Sequence, residues 1–280
     1  MCFEYCCANK IIINYDKCCF IEFNRKSTDV EYNLSILHYK CDNFQYSHKF
    51  ERVTKCKFLG VIINQNLDWK DHIKHVKKQG SQAIGALYSA KSAVPQKILR
   101  SLYFALVQPY FVYTLPLWGS NHSMPEINEL FILQKKAIRI ITNKTTKIAG
   151  TFQNTKILFK KTNILTVHNL YFYLTTTEVR KILTESKPEQ IHGMFMKSAR
   201  SNRLILPKFN KERYKSKSFI FNASKIANYF ISNNIDLYAM SQSTLKINLK
   251  RYLIARQSTT LHKDPNWFPY NLSIFTDIAL

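Results

Sequence analysis

The sequence predicts an α+β protein, with a short β-rich segment at its amino end and a mainly helical remainder. Up to about residue 66 the apolar residues come in short runs separated by turn-forming residues. From Trp69 onward they recur at helical spacing. The chain of 280 residues is 46% hydrophobic and 14% aromatic, enough to enclose a core despite its high charge.

In the β-rich segment, Ile11-Ile12-Ile13 and Cys18 to Phe23 are apolar runs joined by Asn14-Tyr15-Asp16-Lys17, which reads as a hairpin. Leu34 to Tyr39 and Phe58 to Ile63 are further strand candidates. Gly60 inside the latter suggests a bulge or the close approach of another backbone. All seven cysteines (Cys2, Cys6, Cys7, Cys18, Cys19, Cys41 and Cys56) fall in this part of the chain. Their spacing lacks the paired ligands of a zinc site, so they read as reduced thiols.

The first helix is expected from Trp69 to Leu87, with Ile73, Val76, Ala83 and Ile84 on its apolar face and Asn66 or Asp68 as its cap. Pro95 suits the first turn of a second helix, which Pro109 should end. Ser123-Met124-Pro125-Glu126 is a capping box for a third. There Ile127, Leu130, Phe131, Ala137, Ile138 and Ile141 make the apolar face, and Gln134, Lys135, Lys136 and Arg139 the opposite, basic one. Further helices are expected near Ile164 to Leu183, Phe219 to Ile231 and Ser243 to Ala255. The expected domains are 1–66, 67–190 and a basic 191–280.

The charge is strongly lopsided. Lys and Arg number 41 against 18 Asp and Glu, a formal +23. No acid lies between Glu129 and Glu178, and Glu212 is the lone acid between Glu189 and Asp236. Such an excess repels itself unless a polyanion neutralises it, and phosphate backbones are the expected counter-charge. A solvated basic surface is the plainer alternative. No apolar stretch approaches the roughly 20 residues that cross a bilayer, and the first ten residues do not read as a secretion signal, so an intracellular protein without a membrane partner is expected. Nucleus and cytoplasm are not distinguished. Trp118, before Gly119, either stacks on a base or plugs the loop above it.

The segment Phe58-Leu59-Gly60-Val61-Ile62-Ile63-Asn64, with Leu67-Asp68-Trp69-Lys70-Asp71-His72-Ile73 after it, resembles a block that follows the palm of reverse transcriptases from non-LTR (LINE-type, jockey-like) retrotransposons. Upstream, Ala8 to Lys17 is similar to that family's motif D hairpin. Downstream, Leu102-Tyr103, Pro109, Tyr113 and Trp118-Gly119-Ser120 resemble its thumb segment, and Leu133-Gln134-Lys135-Lys136-Ala137-Ile138-Arg139-Ile140-Ile141 its basic thumb helix. Arg200, Asn202, Leu206-Pro207, Tyr214, Ser218 and Leu245 to Leu253 follow the pattern after the thumb. The resemblance covers about residues 8–253, in order. Asn64, Cys18 and Ala227 depart from it, standing where the family usually has Asp, Thr and Trp.

The resemblance implies the carboxyl-terminal part of such an enzyme: a small antiparallel remnant of the palm, then a helical thumb and a helical tail. It implies a template–primer of RNA or DNA as partner, together with the missing amino-terminal polymerase portion. The family's metal-binding Tyr-x-Asp-Asp hairpin lies upstream of the matching region, and this sequence has no adjacent aspartate pair. No cofactor is therefore expected on this chain, and Mg2+ only on the full-length enzyme. By resemblance Lys17 takes the motif D lysine position beside the leaving pyrophosphate, or is simply a surface lysine. Phe58, Leu59 and Gly60 match the primer-grip turn, and Lys135, Lys136 and Arg139 would meet phosphates. A stand-alone RNA- or DNA-binding protein derived from a retroelement, or a decayed transposon product, is the alternative reading.

Overall fold

The computed structural model describes residues 5–6, 8–12, 14, 17–23, 35–37, 47–120, 125–144, 147–148, 151–152, 155–201, 203–209, 218–232, 237 and 239–256. Among these, helix predominates and the sheet is confined to two-stranded pieces, which makes the class α+β. The chain divides into two compact units, Met1–His72 and Ile73–Leu280. The boundary falls in the first turn of a helix. The later helices pack on an earlier one.

In the first unit, β1 (Cys19–Phe20) pairs with β4 (Glu51–Arg52), and β2 (Ser35–Leu37) with β3 (Ser47–Lys49). The pair β5 (Lys55–Phe58) and β6 (Val61–Asn64) is the longest ladder. The last two pairings are antiparallel as expected, but β1 and β4 run parallel, and the Arg52–Glu22 ion pair at 2.8 Å braces them. The predicted hairpin over residues 11–23 is not formed among the described residues. Ile12 is almost fully exposed, and Cys19 and Phe20 take their partners from residues 51 and 52 instead. Ile13, Tyr15 and Asp16 lie outside the described residues. Gly60 is no bulge either: it occupies a two-residue turn, with Leu59 at φ 45° and Gly60 at φ 82°. Two consecutive positive φ values match the right-handed twist of a tight hairpin, and a glycine supplies the second without strain.

In the second unit the first helix, α1 (Lys70–Ser89), buries Ile73, Val76, Ile84 and Leu87, as its spacing predicts. Asp68 Oδ1 accepts from the N–H of Lys70, the first residue of the helix, at 3.4 Å. The second helix begins after Pro95 as α2 (Gln96–Leu102), but Pro109 does not end it. The chain passes through a π-helical turn, Tyr103–Val107, into α3 (Gln108–Val112), with Pro109 in its first turn. Proline has no N–H for the ordinary i→i−4 bond, and widening the turn by one residue accommodates it. A short α4 (Leu115–Trp118) follows, then α5 (Pro125–Thr142). Ser123 of the predicted capping box lies outside the described residues.

The last helices surround α7 (Val167–Glu185). Its residues Val167 to Phe172 are all buried, because α4, α5, α9 (Phe219–Ser232) and α10 (Gln242–Arg256) pack against it. Before it come the small hairpin of β7 (Lys147–Ile148) and β8 (Thr151–Phe152), then α6 (Thr155–Thr162). The four-residue α8 (Glu189–His192) comes after it. Arg180 donates to the Met240 carbonyl at 2.8 Å and to Gln242 Oε1 at 3.0 Å, pinning the start of α10 to α7. Asn228 on α9 clamps Leu204, accepting from its N–H at 2.6 Å and donating to its carbonyl at 2.8 Å. Asn202 and Tyr214 lie outside the described residues.

One core group departs from its predicted place. Gln134 is not on the basic face of α5: it is fully buried. Its Nε2 donates to Tyr103 Oη at 3.0 Å and to the Leu165 carbonyl at 2.8 Å, and its Oε1 accepts from the Val167 N–H at 2.9 Å. Replacing it with alanine would leave three buried groups without this partner. Gln134→Ala should therefore cost roughly 3 kcal/mol in urea unfolding, whereas the exposed Lys136→Ala should stay within about 0.5 kcal/mol of the native chain. Burial holds the Tyr103 and Tyr171 phenols above their ordinary 10.0, so the folded state keeps those protons longer than the unfolded state. Their contribution to stability should then be level below pH 10.0 and be lost as pH rises past it, and Tyr103→Phe should make that loss shallower in pH-dependent melting.

Candidate nucleic-acid interface

A polyanion site needs donors that are accessible, fixed in place and not already neutralised by acids. On α5 the first two lysines after Gln134 differ in setting. Lys136 is exposed, while Lys135 and Arg139, one turn apart, are each partly buried. Lys135 Nζ sits 4.2 Å from the centre of the Phe131 ring, an arrangement that holds the ammonium in place. Burial pulls the Lys135 ammonium below its ordinary 10.5, and the neighbouring Arg139 charge pulls it further. Burial likewise lowers Arg139, whose Nε is buried without a hydrogen-bond partner among the described residues. Two like charges are thus brought together in partial shelter from water. An anion bridging them would relieve both the repulsion and the lost hydration.

Near the front of α1, Lys74 and Lys78 are exposed one turn apart, and with Lys77, Ser81 and Gln82 they line a shallow cleft. Lys77 also bonds Glu129 on α5 at 2.9 Å, with both side chains about half exposed, so the pair adds little stability. Lys74 and Lys78 were not among the candidates from sequence. The signal was present: no acid occurs between Asp71 and Glu126, and the two lysines fall on the helix face opposite Ile73 and Val76.

In the first unit the Phe58–Gly60 turn projects its side chains. Phe58 is 61% exposed and Leu59 74%, with Lys55 and Lys57 exposed on the strand leading to them. An exposed apolar tip flanked by lysines suits a surface that meets both sugar and phosphate. The strand on the other side of the turn is anchored at its base. The Ile62 N–H donates to Nδ1 of the buried His72 at 3.3 Å. Asn64 Nδ2 donates to Asp68 at 3.0 Å and to Asp71 at 3.4 Å, and Asn64 Oδ1 accepts from the Asp68 N–H at 3.1 Å. Lys17 is exposed, with its side chain in no ion pair among the described residues.

One sequence candidate does not reach an open surface. Trp118 is fully buried and its Nε1 donates to the Tyr113 carbonyl at 3.0 Å, so its ring is a packing plug and has no face to offer a base. Gly119 explains the tight fit: a Cβ there would come within 2.6 Å of Leu115 and 3.0 Å of the Tyr171 ring on α7. Asp68 and Asp71 do not suit a magnesium ion. Asn64 already donates to both, Lys55 approaches Asp71 at 3.9 Å, and among the described residues no three metal-ligating side chains gather. Cys6, Cys18, Cys19 and Cys56 form no disulfide among the described residues. No helix among the described residues is long and apolar enough to cross a membrane.

Over 104 residues the chain is 26% identical to a protein of Drosophila melanogaster described as a probable RNA-directed DNA polymerase from transposon BS. The chain is distantly similar to a transposon polymerase. The match covers 36% of this chain and 11% of the fly protein. It supports a retroelement origin for the chain. No protein-family profile and no solved structure matches.

Burial separates the aromatic candidates by experiment. Trp118→Phe should lose about 1 kcal/mol of stability in urea through its missing hydrogen bond and packing, and leave affinity for nucleic acid unchanged. Phe58→Ala, at the exposed tip, should stay within about 0.5 kcal/mol in the same measurement.

Proposed function

We propose that this chain is the carboxyl-terminal, nucleic-acid-gripping part of a retrotransposon RNA-directed DNA polymerase of the non-LTR type. The observation that carries the reading is the pair of cations on α5, Lys135 and Arg139, partly buried side by side. Arg139 Nε is buried without a hydrogen-bond partner among the described residues. Two like charges held close together repel each other, whereas a phosphodiester backbone attracts both. The distant similarity to a transposon polymerase agrees with this reading.

In this reading the helical unit is the thumb and holds template and primer from one side through phosphates, without regard to base sequence. The Phe58–Gly60 turn meets the primer strand. Lys17, exposed in the first unit, is available to a pyrophosphate leaving group. The metal-dependent step belongs to carboxylates this sequence does not contain, since it has no adjacent aspartates and Asp68 and Asp71 are engaged by Asn64. The chain is a binding part and not the catalyst.

The test is titration of the full chain against a primed RNA–DNA template at several salt concentrations. Binding should weaken steeply with salt, with a slope set by several phosphates. Lys135→Gln combined with Arg139→Gln should flatten that slope by about 1.8 and weaken all sequences alike. Absence of binding at low salt, or nucleotide incorporation by the chain alone, would overturn the reading.

A further inference from the structure

A second pair of cations meets where three helices join. Arg100 on α2 donates from Nε to the Thr162 carbonyl at the end of α6, at 2.7 Å. Its guanidinium carbon lies 4.8 Å from the centre of the Phe104 ring. One edge of the planar group is therefore tied to a carbonyl and one face rests on a ring, which fixes the orientation of the whole fork. The Nη groups make no hydrogen bond among the described residues. Lys250 lies on α10, which packs on α6, and is partly buried, with no hydrogen bond or ion pair of its own among the described residues. Burial, and then the Arg100 charge, hold Lys250 below its ordinary 10.5.

The setting offers no internal remedy for this repulsion. None of α2, α6 and α10 carries an acidic residue. The same helices expose Lys97, Lys160, Lys161 and Lys246. A guanidinium fork held rigid beside an ammonium is the donor geometry that accepts two oxygens of one phosphate while a point charge meets a third. Surface lysines alone would not make such a seat. The half-buried, oriented, uncompensated pair does.

We infer that Arg100 and Lys250 form a phosphate seat at the junction of α2, α6 and α10, distinct from the Lys135–Arg139 pair. Under the proposed function, on which this rests, its occupant is a phosphodiester of the bound strand. The flanking lysines then carry the neighbouring phosphates. Phosphate chemistry alone also admits free inorganic phosphate, so the experiment separates the two.

The full chain is titrated with a primed RNA–DNA duplex and, separately, with inorganic phosphate followed by thermal melting. Lys250 makes no structural bond among the described residues, so Lys250→Gln should melt no lower than the native chain while its duplex affinity falls roughly tenfold at 50 mM salt and its salt slope flattens by about 0.9. Arg100→Lys keeps the charge but loses the fork, and should weaken duplex binding severalfold without flattening the slope. A structural role alone would lower melting and leave affinity in place. Duplex binding unchanged in Lys250→Gln, with Lys135→Gln/Arg139→Gln weakened, overturns this seat and spares the proposed function. A native chain that binds no duplex overturns the proposed function. The seat then stands only if inorganic phosphate raises the native melting temperature and fails to raise that of Lys250→Gln, and it falls otherwise.

Discussion

The helical unit hangs on the side-chain amide of Gln134. Its two N–H groups and its oxygen are engaged at once by the Tyr103 hydroxyl, the Leu165 carbonyl and the Val167 N–H, in a site closed to water. Each partner belongs to a different piece of chain: the π-helical turn, the loop after α6 and the first turn of α7. A buried polar group must find partners or cost its lost hydration, so this amide specifies which segments meet and in what register. Hydrophobic packing alone would be satisfied by many arrangements. The amide accepts few.

The cations follow from that arrangement. With Gln134 turned inward, the next residues on α5 are carried to the rim of the core, where Lys135 and Arg139 are half sheltered and Lys136 is free in water. The core thereby sets how strongly each cation would hold an anion, since shelter from water strengthens the attraction to a bound phosphate and the repulsion without one. Function and stability are opposed at those two positions and aligned at Gln134.

Much of the helical part was legible in the sequence. Ile73, Val76, Ile84 and Leu87 repeat at helical spacing and lie on one buried face. The helices expected near residues 164–183, 219–231 and 243–255 are close to those observed. The misplaced readings share a cause, which is that a local pattern cannot report a distant partner. Gln134 reads as surface because it is polar, and only Tyr103, Leu165 and Val167 make it core. Ile11 to Phe23 reads as a hairpin because its runs are adjacent, yet Cys19 and Phe20 take their partners from Glu51 and Arg52. Pro109 reads as a stop because the ordinary helix is the only one the pattern assumes. At the candidate site, Lys135, Lys136 and Arg139 were visible as a basic run, whereas the Arg100–Lys250 pairing joins residues 150 apart and leaves no local trace.

The π-helical turn has a further bearing on how this chain tolerates change in length. A wide turn amounts to one residue more than a regular helix would need between Leu102 and Gln108. Excising one residue there would restore the ordinary spacing, which Pro109 cannot satisfy with an N–H of its own, and it would swing everything beyond it by about 100° about the axis. Phe111, Leu115 and Trp118 would rotate out of the core together. The irregularity acts as a phase adjuster: local order is given up so that two stretches of one helix can address the same interior.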